Sequence, residues 1–100
     1  MIGTYRIRIT PCALADLTAV FDFIRKDSPQ NAKGMIRAIL DAIDSLEQFP
    51  QRFQVAPLQS AKSRNIRSMV VYPYIIRYRV DESQACVHVM HVRHGARKNR

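Results

Sequence analysis

The last third of the chain does most to narrow what it can fold into. Residues 66–71, 75–80 and 86–93 are short runs rich in Val, Ile and Tyr, separated by Tyr72-Pro73 and by Asp81-Glu82-Ser83-Gln84. β-Branched and aromatic residues bounded by turn formers predict strands, and connections this short bring neighbouring strands together. In the middle run Ile76, Tyr78 and Val80 share one face, leaving Ile75, Arg77 and Arg79 on the other. The final run is apolar on both faces, with Val87 and Val89 on one and Met90 and Val92 on the other. That pattern predicts a central strand covered on both sides. The same alternation puts His88 and His91 on opposite faces, so they cannot chelate one metal together.

The first half carries different periodicities. Tyr5, Ile7 and Ile9 alternate with Arg6, Arg8 and Thr10, which predicts a half-buried edge strand whose arginines stay wet. Thr10-Pro11 then opens a helix, because Thr caps the free N–H groups and Pro loses nothing at the first helical position. Leu14, Leu17, Val20 or Phe21, and Ile24 form its apolar stripe. Ser28-Pro29 repeats the start signal, ending the first helix near Asp27. The second stripe runs through Ala32, Met35 or Ile36, Ile39 or Leu40, Ile43 and Leu46, with Asp41, Asp44 and Glu47 outward, and Phe49-Pro50 stops it. Two helices with so little chain between them form an antiparallel hairpin. Residues 51–63 read as a surface loop anchored by Phe53, Val55 and Leu58, with Pro57 among them.

The assembled order is β-α-α-β-β-β in a single α+β domain over residues 1–100. The helix hairpin has one large apolar surface to cover, namely one face of a small, mainly antiparallel four-stranded sheet. Charge is divided along the chain. Residues 1–50 hold 6 Lys/Arg against 6 Asp/Glu, and residues 51–100 hold 10 against 2, so the net +8 belongs to the strand half. A cationic sheet face implies an anionic partner: nucleic acid, an acidic protein or a membrane surface. Cys12 and Cys86 are too few for a disulfide framework and lack metal-ligand spacing, so free thiols in a reducing compartment are expected. Residues 1–6 lack the apolar core of a signal peptide, and no run approaches membrane-spanning length. A cytoplasmic protein without metal, cofactor or membrane partner is the expectation.

Several segments in order carry a resemblance: the opening strand, Ser28-Pro29, Phe49-Pro50, Ile66-Arg67-Ser68-Met69, the run Tyr72-Pro73-Tyr74-Ile75-Ile76-Arg77-Tyr78-Arg79-Val80, and the closing Val92-Arg93-His94-Gly95-Ala96-Arg97. As an ordered set covering nearly the whole chain, they resemble the RelE/ParE superfamily, the toxin halves of type II toxin–antitoxin pairs. The resemblance implies a stress or plasmid-stabilisation toxin, held in a hetero-oligomer by an acidic antitoxin. A ParD-like antitoxin of ribbon-helix-helix type is expected, so DNA is reached only through the antitoxin.

The superfamily divides by chemistry. The RelE branch cuts messenger RNA on the ribosome, and the ParE branch is associated with inhibition of DNA gyrase. Phosphodiester cleavage needs a proton acceptor at the 2′-OH, a proton donor at the leaving oxygen and cations for the phosphorane. The RelE branch draws these from basic residues on the second strand, an arginine after the leading Tyr of the third, and a basic or aromatic tail residue. In this chain Ile75 follows Tyr74, Ile66 and Ser68 occupy the second-strand positions unless the register shifts to Arg67, and no tyrosine follows Arg97. The ParE-like branch is therefore favoured. The alternatives are an RNA-cutting toxin using Arg67, His94 and Arg97, and a non-toxic relic that retains antitoxin binding.

The candidate target- or antitoxin-binding residues are Arg67, Arg77 and Arg79 on the strands, Arg93, His94 and Arg97 where the last strand closes, and Lys98 and Arg100 in the tail. Arg67 has a second reading, as a sheet-capping residue paired to an acid on the hairpin. Tyr72 and Tyr74 either stack on bases or pack around the turn.

Overall fold

The structure, a computed structural model, describes residues 4–53 and 66–95. Its elements run β1 (Arg6–Ile9), α1 (Pro11–Arg25), α2 (Pro29–Asp44), β2 (Ile66–Val71), β3 (Tyr74–Asp81) and β4 (Cys86–His94), with single 3-10 turns at Ser45–Glu47 and Pro50–Arg52. The helices begin where the sequence predicts. The Thr10 side chain accepts from the Ala13 N–H, the Ser28 side chain accepts from the Asn31 N–H, and a proline opens each helix.

The sheet order is β1-β4-β3-β2. β2, β3 and β4 pair antiparallel, and β1 lies parallel to β4 as an edge strand. The hairpin covers one face. There Met69, Tyr74, Ile76, Tyr78, Val80, Val87, Val89 and Val92 meet Ala13, Leu17, Val20, Ile39, Ile43 and Leu46. Burying each larger apolar side chain contributes roughly 1.5–3 kcal/mol, which is what holds hairpin to sheet.

Three expectations are corrected. The first concerns β4, which is central as expected but covered on one face only. β3 and β4 slip register, so that Arg77 faces His91 while Tyr78 faces Val89 and Met90 is the extra residue. This bulge reverses the alternation. Val92 thereby joins Val87 and Val89 in the core, Met90 is left half-buried, and His88 and His91 come to one face rather than two.

The second concerns the helix stripes, because Leu14 and Leu40 are exposed rather than core residues. The Thr10 hydroxyl donates to the Val89 carbonyl at 2.8 Å and pins the start of α1 against β4. That contact turns the small Ala13 inward and carries Leu14, one step round the helix, to the outside. On α2, the inward stripe is Ala32, Ile39 and Ile43, which leaves Leu40 on the flank.

The third concerns Tyr72, which does not pack around the turn as Tyr74 does. Tyr74 is buried in the core, whereas Tyr72 is 86% exposed at the turn. Of the expected 51–63 loop, Gln51 and Arg52 belong to the 3-10 turn and Phe53 packs against the core. Val55, Pro57 and Leu58 lie outside the described residues.

Candidate functional site: the open face of the sheet

The face turned away from the hairpin is built by cross-strand rows. Ser68, Arg77 and His91 stand in one row, Ile66, Arg79 and His88 in the next, and Val70, Ile75 and Arg93 in a third. Residues opposite one another in antiparallel strands share a face, so each row presents its side chains together. Arg77 and Arg79 are half-buried, and Arg93 is exposed. The structure thus brings three of the predicted residues, Arg77, Arg79 and Arg93, onto one surface.

Arg67 stands elsewhere, and His94 joins Arg77 and Arg93 only at a groove beside α1. Arg67 lies opposite Tyr78, on the helix side, where its Nη1 donates to the carbonyls of Phe53 at 2.7 Å and Gln51 at 3.2 Å. Its partners are backbone oxygens rather than an acid of the hairpin. Beside it, the Tyr78 hydroxyl donates to the Pro50 carbonyl at 2.6 Å. Burial pushes the Tyr78 phenol up to about 12, against the opposing pull of the Arg67 and Arg52 charges. These two side chains tie residues 50–53 to the sheet. His94 lies opposite Tyr74 and meets that ring edge-on, with centroids 5.2 Å apart. Arg67 and His94 are therefore offset by four residues along β3, or about 13 Å. Arg97, Lys98 and Arg100 lie outside the described residues.

Asp16 of α1 is a member of the site that the sequence reading missed. Its Oδ2 accepts from the Val92 N–H at 3.0 Å, and lies 3.6 Å from His91 Nδ1 and 3.7 Å from Arg93 Nε. Arg93 Nη2 in turn is 3.2 Å from His91 Nδ1. Past the end of β1, the free edge of β4 is thus closed by α1, through Thr10 and Asp16. The available signal was an acid amid the inward positions Ala13, Leu17 and Val20. His88 and His91 were missed as face-mates for a related reason: the step from Val89 to Val92 breaks the two-residue period and marks a bulge.

A groove of about 910 Å³ runs along this corner, between Asp16, Val20 and Phe23 of α1 and Ile75, Arg77 and Arg93 of the strands. Phe23 is 64% exposed at its rim. At the groove's end the Gly95 N–H donates to the Pro73 carbonyl at 2.8 Å. A Cβ at Gly95 would stand 3.3 Å from both the Ile75 Cδ1 and that carbonyl oxygen, so the approach suits glycine. Among the described residues, no cluster of three or more His, Cys, Asp or Glu side chains could hold a metal ion, and no helix is long and apolar enough to cross a membrane.

Comparison with known proteins places this architecture. The family model described as ParE toxin of type II toxin–antitoxin system, parDE, matches residues 7–99. A relative from Caulobacter vibrioides, Toxin RelE2, is 42% identical over 85 residues, covering 85% of this chain and 89% of its own. The fold recurs in the chromosomal ParDE toxin–antitoxin system of P. aeruginosa, with a TM-score of 0.73 at 18% identity, covering 91% of this chain and 96% of the other. It also recurs in the toxin–antitoxin complex RelBE2 of Mycobacterium tuberculosis, with a TM-score of 0.66 at 24% identity and 94% of each chain covered. The chain therefore belongs to the ParE toxin family of type II toxin–antitoxin systems, within the RelE/ParE superfamily.

Proposed function

We infer that this toxin acts by gripping a protein, DNA gyrase, with the open face of its sheet. An acidic ParD-like antitoxin neutralises it by covering the same surface. The observation that carries this reading is the separation of the cations. Arg77, Arg79 and Arg93 share the open face with Ile75, whereas Arg67 is turned to the helix side and held by backbone carbonyls, and His94, at the groove that Arg77 and Arg93 also line, lies about 13 Å from it along β3. Guanidinium groups ranged along a sheet face beside an aliphatic side chain suit an acidic protein surface. The expected nuclease set of Arg67, His94 and Arg97 has no common point for its described members. Arg97, Lys98 and Arg100 extend the field in sequence and belong to the same proposal. Antitoxin binding is expected to weaken with added salt, as charge complementarity requires.

A supercoiling assay with purified toxin tests this directly. Gyrase is expected to be inhibited, and Arg77→Gln with Arg79→Gln is expected to weaken that inhibition about tenfold, equivalent to ~1.4 kcal/mol. Normal supercoiling alongside collapsed translation would overturn the reading.

One observation favours a second reading. The bulge sets the imidazoles of His88 and His91, a side-chain type that general acid–base chemistry uses, among arginines on one face. The Caulobacter relative also carries the RelE name. Message cleavage on translating ribosomes that is lost in His91→Gln would establish it. Normal growth on expression without antitoxin would instead identify a relic.

A further inference from the structure

The cationic rows do not end at β4. β1 runs parallel beside it, with Arg6 opposite Cys86 and Arg8 opposite His88. Tyr5, Ile7 and Ile9 pack against the core, so the alternate residues Arg6 and Arg8 stand exposed on the open face. One row therefore reads Arg8, His88, Arg79 and Ile66 across all four strands. The next row outward holds Arg6, Cys86 and Asp81. Asp81 is the one acidic side chain in these rows; it accepts a hydrogen bond from Ser83 that holds its carboxyl below the usual carboxylate range. Among the described residues, no carboxylate forms an ion pair with Arg6, Arg8, Arg77 or Arg79.

Five arginines, Arg6, Arg8, Arg77, Arg79 and Arg93, thus share one face. From the row of Arg6 to that of Arg93 the field extends about 20 Å, and from β1 to β3 it is about 10 Å wide. About 20 Å of duplex axis carries some six phosphates on each strand, enough to supply five contacts along one side. Single-strand binders add aromatic platforms on which bases stack. Here the described tyrosines Tyr5, Tyr74 and Tyr78 pack into or against the core, and the exposed rings Tyr72 and Phe23 stand at the Arg93 end, which leaves the rows of Arg6, Arg8 and Arg79 without such a platform.

We propose that the open face, extended by Arg6 and Arg8 of β1, binds the phosphate backbone of duplex DNA directly, without help from the antitoxin. The occupant is duplex DNA because the field is long, has only Asp81 and, beside Arg93, Asp16 as its acids, and is built of guanidinium groups, which suit phosphate. The proposal rests on the open face being the working surface of a toxin directed at a DNA enzyme. It adds that the toxin touches the DNA as well as the protein.

The test is fluorescence anisotropy with the full chain, freed from antitoxin, and a labelled DNA duplex of arbitrary sequence. Five phosphate contacts predict a slope of about −4.5 in log affinity against log salt, and a loss of about 500-fold between about 50 and about 200 mM salt. Arg6→Gln with Arg8→Gln is expected to reduce the slope by about two while leaving the melting temperature unchanged. Lys33→Gln with Arg37→Gln, an equal charge change on α2, is expected to leave the slope as it was. The proposal is overturned if no binding is seen at low salt, if the α2 pair reduces the slope as much as the β1 pair, or if single-stranded DNA, duplex RNA or polyglutamate binds as tightly as duplex DNA. Supercoiling measured on the parent chain alongside its DNA binding separates the two readings. DNA binding without gyrase inhibition removes gyrase and keeps the DNA interface, and inhibition without DNA binding does the reverse.

Discussion

The two faces of the sheet are made from alternate residues of the same strands, yet they differ in what a substitution costs. On the helix side Ile76, Tyr78, Val87 and Val89 are fully buried, and even the arginine there, Arg67, is bonded to backbone carbonyls. On the open side Arg77, Arg79 and Arg93 lie beside Ile75, with Asp16 as the nearby acid that pairs with Arg93. One face commits its side chains to stability, and the other holds charge that, apart from Arg93 beside Asp16, forms no ion pair among the described residues. Stability and activity should therefore separate cleanly by face.

The sharpest way to break that comparison is to open the buried face. Ile39→Ala is expected to cost about 3 kcal/mol, within the range for truncated core aliphatics, and to lower the melting temperature by more than about 12 °C. Arg67→Leu should cost about 2 kcal/mol in urea unfolding, since two carbonyls of the 50–53 segment lose a charged donor. A change under half that size would move Arg67 from the structural side of the comparison to the functional one. Tyr78→Phe removes the bond to the Pro50 carbonyl and should cost about 1.5 kcal/mol.

Tyr78 also makes a pH prediction with a definite sign. Its phenol titrates near 10 when unfolded and near 12 when folded, so the native state holds the proton more tightly. Its contribution is complete below about pH 10 and is lost as pH rises towards about 12. Alkaline melts should show this loss in the parent chain, and Tyr78→Phe should remove it. Asp16→Ala has a smaller expected cost, about 1 kcal/mol, because it frees the part-buried Val92 N–H. Asp16→Asn, whose amide oxygen can still accept, should cost less. The smallest expected change belongs to the open face, where Arg77→Gln should alter stability by less than about 0.5 kcal/mol.

Much of this division was legible in the sequence, for identifiable reasons. Thr10-Pro11 and Ser28-Pro29 set the helix starts through local capping, which needs no tertiary information. Strict alternation in β3 put Ile76, Tyr78 and Val80 on the buried face and Arg77 and Arg79 on the other, as found. β4 was misread because alternation was carried through Met90, where pairing with β3 inserts a bulge. That single residue decides whether Val92 is core and whether His91 joins the arginines. Leu14 was misread because a stripe fixes a helix's apolar side only to within a residue. The rotation was settled by the long-range bond from Thr10 to Val89. Asp16 and Arg8 were not recognised as site members because their neighbours, Val92 and His88, are distant in sequence and adjacent only once β4 lies between β1 and β3.

The most direct test of the account is growth arrest on induction without antitoxin, scored for Arg77→Gln with Arg79→Gln against Lys33→Gln with Arg37→Gln. Both pairs remove two charges from exposed or half-buried positions, on opposite sides of the molecule. The account predicts that cells carrying the sheet pair grow while cells carrying the helix pair stay arrested, with both proteins melting as the parent does. Arrest that survives loss of the sheet arginines, or disappears with the helix charges, would contradict it.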